Sequence, residues 1–180
     1  MRTFIAIEIP ENIRNSIHKD VEAFKASRLP VRWVARSNLH ITLRFLGEIT
    51  DDVRKRMSSV LEGVAARQKP FQMALKDFGC FPNPRRARVL WIGVDEGSEE
   101  LSVIARNIEE ALVESGFPRE GRFHAHLTIG RIKKPCSIDD ILNKELLSGS
   151  FEVNTLILFK STLTPQGSIY EALEKYRFTP

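Results

Sequence analysis

The chain has 180 residues, 42% of them hydrophobic and 28% charged, with a formal net charge of +4. Such a chain fits one globular domain that buries roughly 70% of its unfolded surface and needs no disulfide or metal staple. Its two cysteines, Cys80 and Cys136, form no CxxC pair or zinc spacing; this points to a reducing, cytoplasmic setting, and the mild basicity permits an anionic partner without demanding one. In chain order, "TFIAIEI" reads as a strand. Glu8 and Pro10 cut its apolar run too short for a signal peptide, and no later stretch approaches the ~20 apolar residues of a membrane span. "ENIRNSIHKDVEAFKAS" carries Ile13, Ile17, Val21 and Phe24 at helical spacing. "VRWVA" and "LHITLRFLG" are strand-like, the second ending at Gly47. "TDDVRKRMSSVLEGVAARQ" opens with a Thr/Asp cap and an acidic first turn. It keeps Val53, Met57, Val60, Leu61 and Val64 on one face. "FQMALKDFGCF" reads as the next strand.

The order then restarts. "RVLWIGV" is a strand, and "SEELSVIARNIEEALVESG" is a helix with a Ser98 cap and Gly116 past its end. "FHAHLTIGRIK" is a strand, and "SIDDILNKELL" a helix capped by Ser137. "FEVNTLILFKSTLT" and "IYEALEKYRF" are the last strands. Residues 1–180 are thus expected to form a single domain duplicated about halves 1–86 and 87–180. The alternation predicts α+β lobes, each an antiparallel sheet with helices on one face. "FPNPRRARV", with two prolines and three arginines, is the candidate hinge between the halves. It is either a solvated linker or a basic arm for a phosphate backbone.

The chain has four histidines, and two of them begin "HITL" at His40 and "HLTI" at His126, 86 residues apart. Alternate side chains share a strand face. His40, Thr42 and Arg44 therefore point one way, and Ile41, Leu43 and Phe45 point toward a core. His126 and Thr128 repeat the arrangement. One such strand means little, but two halves packed about a pseudo-twofold axis would line one groove with two imidazoles. That suits in-line displacement at phosphorus. A neutral imidazole takes a proton from the nucleophile, and a protonated one gives a proton to the leaving oxygen, both feasible with a pKa near ~6.5. The threonine hydroxyls can donate to non-bridging oxygens.

With these motifs, the opening "RTFIAIEIP", "LHITLRFLGE", "LWIGV" and "FHAHLTIGR", nearly the whole chain resembles the two-histidine (2H) phosphoesterases. It is most similar to the RNA 2′,3′-cyclic phosphodiesterases, also named 2′-5′ RNA ligases. The resemblance implies a bilobal α+β fold with the active site in the cleft between lobes. It implies His40 as general acid, His126 as general base, and Thr42 and Thr128 as phosphate holders. The implied reaction opens a terminal 2′,3′-cyclic phosphate of RNA, such as a tRNA fragment, to a 2′-phosphate, in a monomer with no metal or other cofactor. Ligation by the reverse chemistry needs only a hydroxyl in place of water. Ala125 stands where relatives often have proline. Arg131 stands where they often have a basic residue that would suit a phosphate. Simple alternation puts Arg131 on the core side; it reaches the cleft only if the strand twists or bulges at Gly130, and is otherwise a strand-end charge.

Two other classes fit parts of the pattern. His124 and His126 at i and i+2 could chelate a metal with His40, making a metallohydrolase, although spacing suggests no carboxylate and His124 has no counterpart beside His40. A non-catalytic RNA-binding protein could use the basic linker and stack bases on Phe45, Phe81 or Phe123. Parity places Phe45 and Phe123 in the core, and mere binding would not require two proton-transfer groups. His18, on a helix, reads as exposed.

Overall fold

The computed structural model describes residues 1–165 and 167–179. Two four-stranded antiparallel sheets carry the fold. The first contains β1 (Arg2–Glu8), β3 (His40–Glu48), β9 (Thr155–Thr164) and β10 (Gly167–Arg177) in the order β10-β9-β1-β3. The second contains β2 (Val31–Trp33), β5 (Leu75–Phe81), β6 (Val89–Val94) and β7 (His126–Ile132) in the order β2-β7-β6-β5. β4 (Phe71–Met73) and β8 (Phe151–Val153) make a separate two-stranded ribbon. The helices are α1 (Glu11–Ala26), α2 (Asp51–Ala65), α3 (Ser98–Glu114) and the single turn α4 (Asp139–Leu142). No helix among the described residues is long and apolar enough to cross a membrane.

The duplication is interleaved. β3 and β1 stand in the first sheet as β7 and β6 stand in the second. The next strand in each sheet comes from the other half of the chain: β9 beside β1, and β5 beside β6. The helices follow the same exchange. α1 follows β1, yet its Phe24 packs on Trp33 of β2 and Phe78 of β5, in the second sheet. α3 follows β6, yet it packs against β3 and α2 on the first sheet. One continuous apolar core joins both, from Ile5, Ile7 and Ile41 to Leu101, Leu127 and Ile129, all at most 1% exposed.

Local chemistry explains the helices. Ile13, Ile17, Val21 and Phe24 of α1 are buried, one face of a 3.6-residue period. The Thr50 side chain accepts from the Val53 amide and caps α2, whose Met57, Leu61 and Val64 are buried. Gly97 rather than Ser98 caps α3. Its φ of 83° turns the chain into the helix, a conformation that a Cβ would oppose. At Ser137 the hydroxyl bonds to Asp139, but the helix it introduces lasts four residues instead of the eleven read from sequence.

Several strands depart from the expected pattern. "FQMALKDFGCF" is two strands in different sheets: at Ala74 the chain leaves β4, which pairs with β8, and enters β5, which pairs with β6. Asn154 divides "FEVNTLILFKSTLT" in the same way into β8 and β9. An apolar run through both members looks continuous because both are buried. β7 begins only at His126, so Phe123, His124 and Ala125 belong to the preceding loop. "FPNPRRARV" is no hinge: it is the connection of the β5–β6 hairpin, within one sheet.

Candidate active site

β3 of the first sheet and β7 of the second lie in contact, and each begins at its histidine. The His40 Nδ1–H donates to the Asn38 carbonyl at 2.7 Å, and the His126 Nδ1–H donates to the His124 carbonyl at 2.7 Å. A carbonyl only accepts, so this contact fixes the proton on Nδ1 in the neutral ring and leaves Nε2 for chemistry. The same i to i−2 bond in both copies gives both imidazoles the same tautomer. Both rings, with Thr42, Thr128 and Arg131, line one cleft of about 1120 Å³. Thr42 Oγ1 lies 3.0 Å from His40 Nε2.

Aromatic rings wall each imidazole. Phe4 lies 4.8 Å from His40 and Tyr170 meets it edge-on at 5.1 Å. Phe81 meets His126 edge-on at 5.1 Å, with Trp91 at 6.4 Å. These walls exclude water and thereby disfavour the imidazolium. Burial pulls the His40 pKa down to about 4, against the opposing effect of the Asn38 bond. Burial also lowers that of His126, against its bond to His124, and the positive charges of His124 and Arg131 push the same way.

Two matching bulges set the direction of the side chains beyond each motif. Thr42 pairs with Ala6 but Arg44 pairs with Ile5, so Leu43 is an extra residue in β3. Thr128 pairs with Trp91 but Gly130 pairs with Leu90, so Ile129 is extra in β7. Each bulge reverses the alternation beyond it. Arg131 is thereby carried into the cleft lining, exposed, instead of onto the core side. Phe45, its counterpart five residues after His40, is not core: it is 50% exposed, lines the cleft and packs 6.0 Å from Phe4. Phe81 and Phe123 also line the cleft, and Phe123 is half-buried rather than core.

Arg44, expected to point the same way as His40 and Thr42, borders the same cleft but is taken up by protein partners. It is 5% exposed and engaged on every side. Its Nε lies 2.8 Å from Glu109 of α3, and its Nη1 pairs with Glu120 in the loop before β7. Its Nη2 donates to the Pro118 carbonyl. His18, on α1, lies 3.4 Å from Glu22. His124 sits on the loop before β7 rather than on the strand, and its carbonyl accepts from His126 Nδ1. Among the described residues no group of three or more His, Cys, Asp and Glu side chains stands together as a metal site.

Sequence reading missed Asn38, Phe4, Tyr170 and Trp91. Only Asn38 left a signal, as the residue two before His40, where His124 stands before His126. Asn38 Nδ2 also donates to the Ser168 carbonyl at 2.7 Å, tying the His40 support to β10.

Known proteins resemble the chain in sequence and in fold. An RNA 2′,3′-cyclic phosphodiesterase of Methanocaldococcus jannaschii is 38% identical over 181 residues, covering 98% of this chain and 100% of its own. A Thermus thermophilus crystal structure superposes with a TM-score of 0.87 at 26% identity, over 99% of this chain and 98% of that one. Escherichia coli LigT complexed with 3′-AMP gives a TM-score of 0.78 at 28% identity, with the same coverage. The model of the LigT-like phosphoesterases matches twice, over residues 7–91 and 92–170, one copy for each His-x-Thr strand. The chain, with both copies of the motif set in one cleft, belongs to the LigT-like phosphoesterase family.

Proposed function

We propose that the protein hydrolyses the terminal 2′,3′-cyclic phosphate of RNA to a 2′-phosphate without a metal. The carrying observation is the doubled Nδ1–H bond that presents Nε2 of both histidines to one cleft. His126 Nε2 takes a proton from water as the water oxygen bonds to phosphorus. The bond from phosphorus to the 3′-oxygen breaks, and His40 gives its Nε2 proton to that oxygen. Thr42, Thr128 and Arg131 donate to the non-bridging oxygens, where charge develops.

The electrostatics favour this division of roles. Burial alone depresses His40, and a bound phosphate anion offsets that penalty and restores the proton. His126, lowered first by burial, also keeps the Arg131 guanidinium beside it, whose positive charge favours the neutral ring that a base needs. A 5′-hydroxyl in place of water gives 2′-5′ ligation with the same two proton transfers. The protein's substrates in this proposal are RNA fragments, tRNA fragments among them, and the enzyme acts as a cytoplasmic monomer. The relative's name, RNA 2′,3′-cyclic phosphodiesterase, supports the RNA substrate.

The test is incubation of the pure protein, in EDTA, with RNA ending in a 2′,3′-cyclic phosphate, followed by identification of the product phosphate. A 2′-phosphate is expected. A 3′-phosphate would reverse the leaving group, and activity lost in EDTA and restored by zinc would favour a metallohydrolase. RNA binding with no turnover would favour the non-catalytic reading.

A further inference from the structure

The cleft is larger and more basic than one terminal nucleotide requires. Its volume of about 1120 Å³ exceeds the ~300–1,000 Å³ of a small-molecule pocket. Six arginines and two glutamates line it, a net of +4 that equals the formal charge of the whole chain. Both glutamates are used inside the protein. Glu109 and Glu120 pair with the buried Arg44, and Glu109 also accepts the Glu120 amide at 2.6 Å. With the Pro118 carbonyl on the same guanidinium, this pins the loop between α3 and β7 against β3.

The pinned loop carries Arg119 and Arg122 into the cleft wall. Arg106 stands beside it on α3, on the face of Ser102 and Glu109, since residues three and four apart are helix neighbours. Arg119 and Arg122 are exposed, and none of these three arginines makes an ion pair among the described residues. They come from α3 and the loop before β7, whereas His40, Thr42, His126, Thr128 and Arg131 stand on β3 and β7. Guanidiniums without a carboxylate partner, on a loop and helix whose two cleft-lining glutamates are both held by Arg44, suit further phosphates.

We infer that Arg106, Arg119 and Arg122 form a second subsite, for the phosphodiester backbone of the RNA chain leading into the terminal cyclic nucleotide. The enzyme then selects an oligoribonucleotide over a cyclic mononucleotide. Arg44 is the positioning residue that holds the loop and frees the arginines from the two carboxylates. This inference rests on the proposed RNA hydrolysis for its ligand.

The experiment compares wild type with the Arg119→Ala/Arg122→Ala variant on 2′,3′-cyclic AMP and on a short oligoribonucleotide ending in a 2′,3′-cyclic phosphate, across a salt series. The variant is expected to lose roughly tenfold to a hundredfold in kcat/KM on the oligomer. On cyclic AMP it should stay within about twofold of wild type, because that substrate has no second phosphate to lose. The salt slope on the oligomer should become shallower by about 0.7 for each phosphate contact removed. Equal losses on both substrates, or none on the oligomer, would overturn the subsite. Anisotropy of a labelled oligomer ending in a 2′-phosphate gives a second readout that needs no turnover. If wild type hydrolyses neither substrate, the hydrolytic reading fails, and weaker oligomer binding by the variant still upholds the subsite while unchanged binding ends it.

Discussion

At the scale of the residue, the site is two imidazoles with the same anchored tautomer and different electrostatic surroundings. His40→Ala and His126→Ala should each lower turnover by ~10²–10⁴ with little change in RNA affinity, and the double variant should lose little more, because acid and base act as one unit. Thr42→Val or Thr128→Val removes one donor and should cost about 1–3 kcal/mol of transition-state stabilisation, read as the ratio of kcat/KM values. His124→Ala keeps the carbonyl that anchors His126, so it should be far milder than His126→Ala; equal damage in a folded variant would reassign the base. The pH dependence follows from the lowered pKa values. In the proposed mechanism the competent free enzyme holds one proton between the two histidines, and burial lowers both below the ordinary ~6.5, His40 to about 4. Its population peaks between the two values and declines as pH rises through the higher one. The optimum of kcat/KM should therefore lie below pH ~6.5, while kcat, reporting the phosphate-bound state, should peak at higher pH. A kcat/KM optimum above that value would contradict the burial argument.

At the scale of the element, the two His-x-Thr strands are legible by period two only as far as the threonine. Up to Thr42 and Thr128, alternation places each side chain correctly. Beyond them the bulges at Leu43 and Ile129 invert it, moving Phe45 and Arg131 to the cleft. Both extra residues are apolar and buried, so nothing in their type marks them. Gly79 on β5 shows how tightly the neighbouring strand is fitted: a Cβ there would lie 2.2 Å from the Trp91 ring. Gly79→Ala must push Trp91, and with it the wall of His126. It should cost about 1–3 kcal/mol in a denaturant melt, with a lower kcat. Gly63→Ala is the control, with nothing within 4 Å of a Cβ and a place inside α2; it should be stabilising by about 0.5–1 kcal/mol. A Gly79→Ala variant as stable as wild type would remove the packing argument.

At the scale of the whole molecule, the halves exchange a strand and a helix. Residues 1–86 lack β9 for the first sheet and leave β5 without β6; residues 87–180 lack β1 for β9 and β5 for β6. Neither fragment can close the shared core. Each alone should lack a cooperative thermal transition by circular dichroism, and mixing them should restore one. A fragment that melts cooperatively by itself would show the halves to be independent domains.

Much of this architecture was already written in the chain order of residues. Ile13, Ile17, Val21 and Phe24 announced α1 and the face it buries, Thr50 announced the start of α2, and the half-length repeat announced the duplicated α+β fold. His40 and His126 stood out because a rare residue type recurred in one context, and local pattern is enough to see that. Tertiary structure alone decided which sheet each strand entered, why Ala74 and Asn154 divide apolar runs, and how the bulges aim Arg131. It alone paired Arg44 with Glu109 and Glu120, across 65 and 76 positions of chain. Periodicity reports the environment of a residue along its own element. Which distant element supplies that environment depends on the packing of both halves at once, and no local pattern records it.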